Sequence, residues 1–74
     1  SSKDYGLELK RLHDEKKSVE EMMKLAQFKF RKRKLDEESF REIVRDQQKR
    51  LIEIEATINE MEGRVTLLEE KQKI

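Results

Sequence analysis

Two apolar stripes, each spaced by alternating threes and fours, constrain this chain more than anything else in it. The first takes Leu9, Leu12, Lys16, Val19, Met23, Ala26 and Phe30. The second takes Phe40, Val44, Gln47, Leu51, Ile54, Ile58, Met61, Val65 and Leu68. A repeat of about 3.5 residues keeps side chains in line on one face of an α-helix, as in a coiled-coil seam, and does not fit the two-residue alternation of a strand. Each stripe has one polar member. Lys16 can lay its methylene stem along an apolar surface. Gln47 is a single polar seam residue of the kind that fixes register at some expense in stability. The expected fold class is all-α, an antiparallel two-helix hairpin of coiled-coil type that associates into a helical bundle.

The stripes meet in the stretch Phe28-Lys-Phe-Arg-Lys-Arg-Lys-Leu-Asp-Glu-Glu-Ser-Phe40. Its first half is a block of bases, Lys29, Arg31, Lys32, Arg33 and Lys34, suited to the negative C-terminal end of a helix dipole. Its second half is a helix start. Asp36 is a good N-cap, Glu37 and Glu38 occupy the first turn, and Leu35 and Phe40 stand at hydrophobic-staple spacing. The corner lacks the Gly or Pro that usually ends a helix. One module over residues 1–74 is therefore expected, with helix 7–33, turn 34–36 and helix 37–72. Gly6 is a poor helix residue, so residues 1–6 are expected to fray. Ser18-Val-Glu-Glu21 matches a capping box, a point where the first helix could restart. The chain opens on Ser rather than Met and reads as a piece of a longer protein.

Folded about this corner, seam residues whose numbers sum near 70 oppose one another: Phe30 with Phe40, Ala26 with Val44, Met23 with Gln47, Val19 with Leu51, Leu12 with Ile58. Phe30, Phe40, Val44, Val19 and Leu51 are expected to carry the hairpin core. The second helix should outrun the first, leaving Val65 and Leu68 for another copy of the chain. A continuous helix in a parallel coiled-coil rod, acting as a spacer, preserves the same heptads. It puts Arg33 and Glu37 in the seam and exposes Leu35, so the hairpin is preferred. Charge points the same way. Residues 1–34 carry 11 bases and 6 acids, residues 35–74 carry 7 and 11, and opposite signs favour pairing of the two segments.

Met22, Leu25 and Phe28 fall outside the seam, and one partner helix cannot cover them as well. With Val65 and Leu68 they form the expected interface of a homo-oligomer, foremost a dimer forming a four-helix bundle, or of a helix from another protein. The basic block Lys29, Arg31, Lys32, Arg33 and Lys34, with Phe28 and Phe30 interleaved, has a second reading as an anion-binding site for a membrane surface or nucleic acid. Its bland reading is a charged helix end answered by its own dipole and by Glu37 and Glu38. That reading is preferred, because nucleic-acid-binding domains are usually basic overall and this chain has a net charge of only +1.

Other chemistries are poorly served. The chain has no cysteine, so disulfides and thiolate metal sites are excluded. Its one histidine, His13, has no second imidazole or thiolate beside which to hold a metal. Carboxylates are plentiful but lie along solvated helix faces, and Ser18, Ser39 and Thr66 have no positioned base. No enzyme, catalytic residue, metal or cofactor is expected. The longest apolar runs are two residues, far short of the roughly 20 that a membrane span needs. A cytoplasmic setting is the expectation, alone or as the soluble part of a membrane-anchored protein.

Leu35-Asp36-Glu37-Glu38-Ser39-Phe40 resembles the corner of the SHOCT-type (short C-terminal) helical modules. Those carry a helix, a turn with Leu or Ile, then a polar cap, acids and an aromatic. The resemblance covers roughly residues 25–50. Similar tails occur on prokaryotic proteins, often archaeal and often beside membrane anchors. The resemblance implies oligomerisation or partner binding without chemistry of its own.

Overall fold

The computed structural model describes residues 2–72, with the side chains of Ser2, Lys3, Val65, Thr66 and Leu68 outside that description. Two helices, α1 (Ser2–Arg31) and α2 (Glu37–Gln72), fold back on one another into a body 59 × 17 × 14 Å. The chain is all-helical, as the periodicity requires, and the break at the corner removes the continuous rod. α1 runs unbroken through Ser18, so the capping-box spacing there starts no new helix.

The corner ends α1 without glycine. Lys32 N–H donates to the Phe28 carbonyl (3.0 Å), Arg33 N–H to that of Phe30 (3.0 Å) and Lys34 N–H to that of Lys29 (2.9 Å). This combination of six-to-one and five-to-two bonds is a Schellman motif, which requires a left-handed residue at its penultimate position. Arg33 takes that role, with φ of 58°. The first helix therefore stops at Arg31, two residues earlier than expected, because Arg33 and Lys34 turn back to satisfy its last carbonyls. α2 then starts at Glu37 as expected. Ser39 N–H donates to Asp36 Oδ1 (2.7 Å), and Phe40 N–H donates to the Asp36 carbonyl (2.9 Å), the two bonds of an N-cap.

The seam closes at Phe30 and Phe40 as the register predicts. The rings of Phe30 and Phe40 stack with centroids 4.4 Å apart and planes 9° from parallel. Leu12, Val19, Ile54 and Ile58 form the buried core, with Leu9, Met23, Leu51 and Met61 packed against it and Ala26 buried nearer the corner. The core is centred away from the turn, which differs from expectation. Phe30 remains 37% exposed, and Phe40 and Val44 are half-buried. Lys16 fills its seam position as a half-buried stem whose Nζ reaches Glu55 (3.5 Å) at the edge.

Residues 2–6 differ as well, while Ser1 lies outside the described residues. α1 begins at Ser2 rather than Leu7, carrying Gly6 inside it. Extending the register to this end places Ser2 level with Leu68, so the backbone of α1 runs beside the tail of α2 and the long overhang expected there is absent. α1 thus accommodates Gly6 despite its helix penalty of roughly 1 kcal/mol. Contacts of the Val65 and Leu68 side chains lie outside the described residues.

Candidate functional site

Two features of the surface remain after the seam is closed. The first is apolar. Met22, Leu25 and Phe28 are 53%, 52% and 47% exposed, confirming that the single seam cannot absorb them. Met22 and Leu25 border a groove of about 250 Å³ on one side of the hairpin, completed by Ala26 and Lys29 of α1, Leu35 of the turn, and Ile43 and Gln47 of α2. The groove exists because α1 places Met22, Leu25 and Lys29 one helical turn apart on a flank. Phe28, one turn from Leu25 on α1, lies outside this lining, and the side chains of Val65 and Leu68 lie outside the described residues. Gln47 is half-buried and looks into the groove, so the polar seam residue also belongs to a surface. Ile43 and Leu35 are the members that the seam analysis missed. Ile43 adjoins the seam residue Val44 and Leu35 lies in the turn, and only the pairing of the helices brings them into one groove with Met22.

The same flank of the hairpin is locked further along by a cross-helix ion pair. Arg50 Nε donates to Glu15 Oε1 (2.7 Å), and its Nη2 lies 2.5 Å from the same oxygen. This bond is the largest influence raising the Arg50 pKa above the ordinary guanidinium value. On the opposite flank, His13 Nε2 stands 3.5 Å from Glu62. Exposed His13 therefore faces a carboxylate, with no second histidine available to it. Among the described residues no group of histidines and carboxylates is arranged to hold a metal ion, and no helix is long and apolar enough to cross a membrane.

The second feature is the basic corner. Lys29, Arg31, Lys32, Arg33 and Lys34 are all exposed. Among the described residues none of them forms an ion pair, whereas Lys10, Arg11, Lys16, Arg41, Arg50 and Arg64 each do. Glu37, expected to answer the block, pairs instead with Arg41 one turn along its own helix (2.6 Å). Helical i,i+4 geometry makes that partner closer than any across the turn. Lys32 Nζ lies over the Phe28 ring, 5.7 Å from its centroid. The corner thus presents five cations that form no ion pair among the described residues, and the groove opens beside it. No protein-family model, curated protein or solved structure matches this chain.

Proposed function

We propose that this chain is a non-enzymatic interaction module, a helical hairpin that self-associates, foremost as a dimer, to join or space parts of a larger protein. The observation that carries this reading is the apolar groove bounded by half-exposed Met22 and Leu25. Unlike scattered surface apolar residues, these border one concave face, the feature that marks a contact surface. The small core argues in the same direction, because chains of this length usually draw stability from association. The test is solution mass by light scattering on a sizing column for the native chain and for Met22→Glu and Leu25→Glu. A dimer that becomes monomeric with helicity retained supports the reading. A native monomer across the micromolar range, or a dimer indifferent to both changes, refutes it.

The unpaired corner cations favour a second reading, binding to an anionic surface. Each Lys or Arg close to an acidic bilayer contributes about 1 kcal/mol, falling off over a Debye length. Salt-sensitive sedimentation with phosphatidylserine vesicles, lost on replacing Lys32, Arg33 and Lys34 by Gln, is the expected result. Equal sedimentation with neutral vesicles would count against it.

A further inference from the structure

The polarity of the self-associated state follows from three features of the hairpin, given the self-association proposed above. The first is charge. The corner half, residues 18–52, carries 10 bases and 7 acids, while the free-end half, residues 1–17 with 53–74, carries 8 bases and 10 acids. The hairpin is therefore a charge dipole along its 59 Å length. Its positive pole is the corner, where five cations form no ion pair among the described residues. At its other end Glu69 and Glu70 are exposed and equally without ion pairs among the described residues.

The second is area. A stable dimer needs roughly 800 Å² from each partner. A hairpin side 59 Å long and 17 Å wide offers about 1,000 Å² when overlapped along its whole length, and about half that when only the corner halves meet. Full-length overlap is required.

The third is an apolar residue outside the groove. Leu7 is 60% exposed, near the start of α1. It lies 18 residues from Leu25, five whole turns of 3.6 residues, so both side chains leave the helix in the same direction about 27 Å apart. Their midpoint is position 16, which is also the middle of α1 (Ser2–Arg31). A twofold axis through that point carries Leu7 of each copy onto the Leu25 groove of the other.

We infer that two copies pack side by side and antiparallel, with Leu7 of each seated in the Met22–Leu25–Ile43 groove of the other and each basic corner beside the partner's Glu69–Glu70 end. A parallel dimer aligns the same leucines, but it brings two corners of five cations together. Like charges in that arrangement oppose docking, and opposite charges steer and orient it.

The chain has no natural cysteine, so a single spin label can be placed at Lys32→Cys. Corner and axis are 16 residues apart, and at 1.5 Å per residue the antiparallel dimer separates the two labels by about 50 Å. Pulsed dipolar spectroscopy should return that distance. A separation below about 30 Å, from parallel packing or from overlap of the corner halves alone, would overturn the inference while leaving self-association intact. Light scattering on the same sample shows which has failed, since monomer mass overturns both. Leu7→Glu supplies a second readout. It should abolish the dimer with helicity unchanged, and an unaltered dimer mass would overturn the placement of Leu7 in the groove.

Discussion

Arg33 is the residue whose replacement tests the corner most directly. Its φ of 58° lies in the left-handed region, where a side chain carrying a Cβ is strained by roughly 1–2 kcal/mol and glycine is not. Against that relief, glycine loosens the unfolded chain by about 0.4–1 kcal/mol. Arg33→Gly should therefore stabilise the hairpin by about 0.5–1 kcal/mol, a rise in Tm of several degrees for a domain of this size, where 1 kcal/mol corresponds to about 4–8 °C. Arg33→Ala is the necessary companion, since it removes one of five crowded cations but keeps the Cβ. Thermal melts followed by helical circular dichroism, at one fixed protein concentration, separate the two effects. Glycine should melt above alanine. If the two melt together, relief of charge crowding accounts for any gain and the left-handed residue costs nothing. If glycine melts below arginine, the Schellman geometry at Arg33 is not what holds the turn.

Further outcomes follow from other parts of the fold. Ile54, only 1% exposed at the centre of the core, should lose about 2–5 kcal/mol of stability on change to Ala, enough to unfold a domain this small, whereas Ile52→Ala at 67% exposure should stay within about 0.5 kcal/mol by denaturant titration. The Tyr5 hydroxyl is buried without a hydrogen-bond partner among the described residues, so Tyr5→Phe should be neutral or stabilising by about 1 kcal/mol, and a clear loss of Tm would reveal a partner for it. The Ser39 backbone N–H, and then the Ser39 hydroxyl, hold the Asp36 carboxyl below its ordinary value of 3.8. A depressed folded-state pKa means that the stabilisation is fully present above the unfolded value and is lost as pH falls through the folded one. The melting temperature should therefore drop below about pH 4. Asp36→Asn, which still caps, should remove part of that drop, and an unchanged acid profile would contradict the cap. Glu8, held down chiefly by its hydrogen bond to Arg11, titrates in the same direction, so part of the acid sensitivity should persist in the Asp36 variant.

What the sequence determined by itself is whatever depends on spacing along one chain. The seam of each helix, the sum-of-70 register, the Asp36 cap and the surplus apolar residues at Met22, Leu25 and Phe28 are consequences of helical periodicity and local hydrogen bonding, which any reader of the residues can project. The tertiary structure decided what depends on two elements at once. It carried α1 back to Ser2, although Gly6 reads as a helix breaker in isolation. It made Arg33 left-handed, because reversing the chain in so few residues demands that geometry regardless of which residue is present. It also set Ile43 and Leu35 in one groove with Met22, paired Glu15 with Arg50, and left the corner cations without ion pairs among the described residues. Those outcomes depend on the distance between helices and the competition among nearby partners, neither of which a one-dimensional pattern contains.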